Sequence, residues 1–199
     1  MYPATKRAFD LLSSMLGLVV LFPTLSVIAV AIKLNSAGPV FYRGTRVGLD
    51  GVLFQMYKFR TMVLNADKIG GSSTPDDDQR ITRVGHFLRK YKLDELPQLI
   101  NVFRGEMSLV GPRPQVKWAV DLYTPEERRI LTAKPGITDY ASLQFPNEGE
   151  ILKGSIDPDR DYMEKIHPEK MRLSLEYIQM RSMRVDIGII FQTLVAIIR

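Results

Sequence analysis

The chain has 199 residues, 45% of them apolar, with a formal net charge of +5 and a pI near 9.4. That suffices for one domain with a real core and is too apolar for a disordered chain. The absence of cysteine excludes disulfides, thiolate metal sites and a cysteine nucleophile, and the positive balance points to anionic partners: phosphates, nucleic acid or an acidic membrane face.

Leu11 to Ile32 carries no charge over 22 residues, long enough to cross a hydrocarbon core. It is too long for the apolar part of a signal peptide, and no small-residue cleavage site follows it. Pro23 sits at its centre, where a proline removes a backbone hydrogen bond and kinks a helix. Lys6 and Arg7 precede the segment, and Lys33, Arg43, Arg46, Lys58 and Arg60 follow it, so the positive-inside bias draws both ends to one side. A kinked, re-entrant helix over residues 1–37 satisfies both flanks. A straight span does not.

Residues 38–199 read as one domain, without repeats or linkers. After the Gly38-Pro39 turn come two strand-like runs, Val40 to Tyr42 and Val52 to Phe59, with Asp50-Gly51 as a hairpin signal between them. Lys58 and Arg60 share a face of the second run. Residues 70–78 (GGSSTPDDD) read as a polar loop. Thr124-Pro125-Glu126-Glu127 is a capping box, with Pro135-Gly136 ending its helix, and His167-Pro168 opens another with Met171, Leu175 and Ile178 on one face. Asp186 to Arg199 is apolar but too short to span. It reads as a helix lying in the membrane interface, with a core helix as the plainer alternative. Neither His86 nor His167 has a ligand cluster around it, so neither reads as a metal ligand.

Between Arg80 and Arg113, seven cations (Arg80, Arg83, Arg89, Lys90, Lys92, Arg104 and Arg113) surround three acids, Asp94, Glu95 and Glu106. Asp94 before Glu95-Leu96-Pro97 has the pattern of a helix N-cap. The same placement would hold a carboxylate ionised beside a bound phosphate, where it can act as a nucleophile at phosphorus. Glu95 points elsewhere and suits a divalent cation, since magnesium takes one or two carboxylates plus substrate phosphates. Arg113, between Pro112 and Pro114, sits on a stiff segment that presents its guanidinium at little entropic cost. No glycine-lysine phosphate loop, dinucleotide fingerprint or nucleophile elbow occurs. Three readings stay open here: an enzyme acting on phosphates, a basic nucleic-acid binder with Tyr57, Phe59 and Tyr91 interleaved, and a membrane-anchored scaffold.

The motifs decide among them. FYRGTRV (Phe41 to Val47), YKFRTM (Tyr57 to Met62), DQRITRVG (Asp78 to Gly85), LDELPQLIN (Leu93 to Asn101), MSLVGPRP (Met107 to Pro114) and KPGIT (Lys134 to Thr138) resemble, in order and spacing, the bacterial sugar transferases, or monotopic phosphoglycosyl transferases. The resemblance implies an α+β, mainly helical fold, with a re-entrant membrane helix and a compact catalytic domain on the cytoplasmic face of the bacterial inner membrane. It implies magnesium, held by Glu95, and a covalent route through Asp94. The donor would be a nucleoside diphosphate sugar, a UDP-sugar in the first instance, and the acceptor polyprenyl phosphate, undecaprenyl phosphate in the first instance. Arg113 with Pro112 and Pro114, and Lys58, Arg60 and Arg89, are the expected phosphate-binding set. Membrane lipids are expected partners, nucleic acid is not, and a homodimer is compatible with the pattern. Longer members carry further membrane helices, and this sequence is expected to be the core alone. Two places depart from the family: Phe22 stands where a serine often precedes the proline, with Thr24 or Ser26 as substitutes, and Asp139 to Leu143 replaces the usual continuation after KPGIT.

Overall fold

The computed structural model describes residues 2–71 and 73–198, except the side chains of Asp67, Ile197 and Ile198. The uncharged segment forms the middle of one long helix, α1 (Tyr2–Asn35), which continues through Pro23. Ser26 donates its hydroxyl to the Phe22 carbonyl at 2.8 Å. The carbonyl that Pro23 deprives of its usual donor is that of Val19, so Ser26 is not the substitute for the missing serine.

Both ends of α1 are held by the rest of the chain. At the start, Lys6 pairs with buried Asp186 at 2.6 Å, and Arg7 donates to the carbonyls of Val102 and Phe103 at 2.7 and 2.8 Å. Asp10, buried, accepts the Leu109 N–H at 3.0 Å, and Gly17 lies against Leu99. At the far end, Ile28 and Ile32 pack with Phe59 and Leu88. Each such burial contributes roughly 1.5–3 kcal/mol. Between these anchors Leu16, Val19, Val20, Phe22, Val27 and Val30 stand exposed, an apolar surface that water does not favour.

Strands β1 (Phe41–Val47) and β2 (Leu53–Phe59) form an antiparallel hairpin with Phe41 opposite Phe59 and Val47 opposite Leu53. Asp50 and Gly51 take left-handed conformations in its turn. A short helix, α2 (Ala66–Ile69), leads to α3 (Arg83–Lys90), whose cap is Thr82, accepting the Gly85 N–H at 3.0 Å. After a 3₁₀ turn at Leu93–Glu95 comes α4 (Gln98–Arg104).

The second sheet pairs β3 (Ser108–Val110) with β4 (Gly136–Thr138) in parallel. Gly111 and Gly136 meet backbone to backbone there, so that a Cβ on Gly136 would strike Gly111. Between the two strands lie α5 (Lys117–Asp121) and a 3₁₀ segment, Glu127–Thr132. The capping box at Thr124 forms both of its bonds, Thr124 N–H to Glu127 at 2.7 Å and Glu127 N–H to Thr124 Oγ1 at 3.2 Å, although it opens this 3₁₀ segment rather than an α-helix running to Pro135.

Short helices α6 (Tyr140–Gln144), α7 (Glu148–Ile151) and α8 (Pro158–Lys165) lead to α9 (His167–Met180), which opens at His167-Pro168 as its sequence predicts. The last helix, α10 (Met183–Ile198), is two-faced. Ile189 and Asp186 are buried, while Ile187, Phe191 and Leu194 are exposed. Asp186 is no surface charge at a helix end. It accepts from Tyr2, Lys6 and Tyr177 and ties α1 to α10. Arg199, expected to close this helix, lies outside the described residues.

Candidate active site

The reactive pair sits where the chain turns from α3 into α4. Lys92 takes a left-handed conformation (φ 56°), and the following turn closes with Glu95 N–H to Lys92 O and Leu96 N–H to Leu93 O, each at 3.3 Å. Those are three-residue bonds of 3₁₀ type. Pro97 then occupies the N-cap of α4. Asp94 is therefore not the cap that its sequence context suggests. It lies inside the preceding turn, and its carboxylate takes no hydrogen bond or ion pair among the described residues.

Only 6% of Asp94 is exposed, and it lines an open cleft of about 1030 Å³. Burial pushes its carboxyl pKa up, a trend that Lys58 opposes and Glu95 reinforces. The expectation that a helix start holds Asp94 ionised is corrected accordingly: no cap bond is made, and desolvation outweighs the nearby cations. A raised pKa makes the carboxylate, once ionised, a stronger nucleophile.

Glu95 has the opposite environment. Its Oε1 accepts from Lys58 Nζ and from Arg113 Nη2, both at 2.7 Å. With Arg113 and Lys58 beside it, its carboxyl is held well below the usual range in spite of burial. The pair thus splits into one carboxylate fixed as a charge and one left free.

Arg113 is set by its backbone. The Pro112 carbonyl accepts the Gly136 N–H at 3.0 Å and the Gln115 carbonyl accepts the Val47 N–H at 2.9 Å, so the segment is pinned on both sides. Arg113 and Pro114 border the cleft, whereas Pro112 borders only a smaller neighbouring cavity that Val47 and Val120 also line.

The other expected cations divide. Lys58 reaches Glu95, as above. Arg89 borders the cleft, donates to the Thr74 carbonyl at 3.4 Å and acts on Asp94 through its charge. Arg60 also borders the cleft, yet its guanidinium is used by the carbonyls of Ser36 and Ala37, just past the end of α1. Arg60 therefore joins the helix to β2, leaving less of its hydrogen-bonding capacity for a ligand.

Among the described residues, ten lysines and arginines line this cleft against five acids, a field suited to an anion carrying more than one charge. Its volume matches that of small-molecule sites. Among the described residues no cluster of three metal-ligating side chains occurs. A magnesium ion needs no such cluster, because most of its six oxygens come from water and substrate phosphates. The free Asp94 carboxylate and the Glu95 carboxylate next to it, both on the cleft, fit that requirement.

Sequence reasoning did not find Glu148 and Lys170, which form an ion pair of 2.7 Å on the cleft wall. Neither lies in a motif, and no spacing links α7 to α9. His167, by contrast, is buried between the rings of Tyr123 and Tyr162, and His86 is an exposed residue at the cleft edge.

Comparison with known proteins shows the family. The family model for bacterial sugar transferases matches residues 1–199, and the chain belongs to that family. It is 39% identical over 196 residues to the UDP-glucose:undecaprenyl-phosphate glucose-1-phosphate transferase of Escherichia coli, an alignment covering 94% of this chain and 39% of that protein. It is 35% identical over 198 residues to the UDP-N-acetylgalactosamine-undecaprenyl-phosphate N-acetylgalactosaminephosphotransferase of Aeromonas hydrophila, covering 97% and 43%. The exopolysaccharide production protein ExoY of Sinorhizobium fredii is 34% identical over 208 residues, covering 97% and 85%. The chain thus spans about two fifths of the first two relatives and most of the third.

Proposed function

We propose that this chain is a phosphoglycosyl transferase that moves a sugar-1-phosphate from a UDP-sugar to undecaprenyl phosphate through an aspartyl intermediate, as the first step of a bacterial glycoconjugate. The observation that carries the reading is Asp94: a buried carboxylate that takes no hydrogen bond or ion pair among the described residues, facing a cation-lined cleft beside a glutamate fixed by two cations. The names of the relatives supply the donor and acceptor classes. They differ in the sugar, so the proposal commits to the class.

In the first half-reaction an Asp94 oxygen attacks the phosphorus that bears the sugar. The aspartyl O–P bond forms as the P–O bond to the other phosphate breaks, and UMP leaves with the electron pair. In the second, an oxygen of the lipid phosphate attacks the same phosphorus and expels the Asp94 carboxylate. Arg113 grips phosphoryl oxygens through its planar fork, while Lys58 and Arg89 add positive charge where negative charge accumulates. Magnesium, held by Glu95 with Asp94 adjacent, supplies charge neutralisation on the phosphoryl oxygens when bound. The nucleophile being part of the chain, two dissimilar substrates use one site in turn.

The direct test is a set of UDP-sugars assayed for UMP release with and without polyprenyl phosphate. Release of one equivalent of UMP per enzyme without acceptor, and turnover only with it, is the expected result. Release that strictly requires the lipid phosphate in the first turnover would remove the covalent intermediate.

The same proposal places α1 as a re-entrant element of the inner membrane with the catalytic domain in the cytoplasm. A straight helix of 34 residues is about 51 Å long, more than a hydrocarbon core. Its two ends nevertheless touch the same domain, through Lys6, Arg7 and Asp10 at one end and Ile32 and Ser36 at the other. That supports both ends lying on one face of the bilayer. Single cysteines replacing Ala4 and Ala37, both exposed in a cysteine-free chain, should react with an impermeant maleimide from the cytoplasmic side only. Labelling from opposite sides would mean that the helix spans.

A further inference from the structure

Lys170 is an unusual residue for this cleft. It projects from the buried face of α9 with its side chain 3% exposed, and its ammonium lies 5.2 Å from the centre of the Tyr162 ring. A buried lysine is costly unless it is paired, and its partner here is Glu148 at 2.7 Å. Glu148 is the first residue of α7 and also faces Arg113, whose charge acts on it after that of Lys170. Arg113 in turn feels Glu95 first and Glu148 next among the carboxylates. Five groups of alternating sign therefore follow one another along the cleft wall: Lys58, Glu95, Arg113, Glu148 and Lys170.

The order matters because Glu148 has three cations to choose between, Lys170, Arg113 and, most weakly, Lys92. It bonds to Lys170, and no ion pair joins it to Arg113 in this structure. We infer that Glu148 and Lys170 are positioning residues of the anion site: Lys170 holds the Glu148 carboxylate off Arg113, so that Arg113 keeps its remaining N–H donors for substrate phosphate. This rests on the phosphate-binding role proposed for Arg113. A guanidinium has five donors, and Glu95 uses Nη2. A second carboxylate closing on the fork would occupy the donors that a phosphate needs and cancel the charge that attracts it. Removing Lys170 frees Glu148 to do that. Removing both returns Arg113 to Glu95 alone.

The plainer alternative is that the pair only ties α7 to α9, or that Lys170 attracts anions by its own charge. Titration calorimetry of the solubilised full chain with inorganic pyrophosphate separates these. Lys170→Met is expected to bind pyrophosphate about tenfold more weakly, the loss of roughly one charge-assisted hydrogen bond. Glu148→Gln with Lys170→Met should recover to within about twofold of wild type. In an Arg113→Gln background the Lys170 substitution should have almost no further effect, since it acts through Arg113.

The proposal is overturned by an equal loss in both backgrounds, by failure of the double variant to recover, or by no pyrophosphate binding to the wild type. Should Lys170→Met not fold, Lys170→Gln fills the same slot without the charge and enters the same cycle. The probe carries neither sugar nor nucleoside. A protein that behaves as expected here and yet turns over no UDP-sugar would refute the transferase reading and leave this one standing.

Discussion

Asp94→Asn is expected to abolish turnover and to raise the melting temperature of the same protein. Loss of a covalent nucleophile lowers the rate by roughly four orders of magnitude or more, whereas the amide keeps the shape of the side chain. The gain in stability follows from burial. A carboxyl whose pKa is raised by folding is penalised when ionised. Below the unfolded value, near 3.8, both states are protonated and nothing is lost. As pH rises through that value and then through the higher folded pKa, stability falls by the full penalty and remains lower at neutral pH. The uncharged amide escapes it. Thermal melts of both forms should therefore diverge above about pH 4 and converge below it. Activity above about a tenth of wild type would exclude Asp94 as nucleophile, and a lower melting temperature at neutral pH would exclude the desolvation account.

Glu95→Gln is expected to fail differently. In the wild type this carboxylate joins Lys58 and Arg113, and its loss leaves two cations without the charge that held them together. Activity should drop by about a hundredfold or more, the scale on which electrostatic positioning groups act. The magnesium concentration for half-maximal rate should rise. Here the stability linkage has the opposite sign. The folded pKa is depressed, so the contribution is present above the unfolded value near 4.5 and is lost as pH falls through the folded one. The melting difference between wild type and variant should be largest at neutral pH and vanish in strong acid. An unchanged magnesium titration with a rate within threefold of wild type would sink the assignment.

Much of this was legible in the sequence wherever a signal was local. An uncharged run gave α1, Asp50-Gly51 the hairpin turn and His167-Pro168 the start of α9. The first strand extends to Val47, beyond Tyr42, because pairing with β2 decides its length, and FYRGTRV has no clean alternation to announce it. Strands β3 and β4 are three residues each and about 28 positions apart, too short for any period to register. At the site, chemistry was easier to read than geometry. Asp94, Glu95 and Arg113 come together on one cleft. The turn that holds Asp94 depends on the left-handed Lys92, which nothing in its neighbours requires. Arg60 lies in a motif with Lys58, yet the end of α1 claims its guanidinium, a partner fixed only by how that helix packs. Glu148 and Lys170 meet solely because α7 and α9 do.

The bare contact between Gly111 and Gly136 bears on how such enzymes can be recombined. The segment carrying Arg113 and the segment Lys134 to Thr138 lie so close that neither tolerates a side chain at its glycine, and each supplies backbone bonds to the other. They behave as one part made of two stretches of chain. A chimera built to borrow a different sugar preference from a relative can cut before Ser108 or after Thr138, or exchange a stretch lying wholly within residues 116–132. One that exchanges Ser108 to Pro114 without Lys134 to Thr138 puts two unmatched halves of that joint together, and the arginine inherits the misfit.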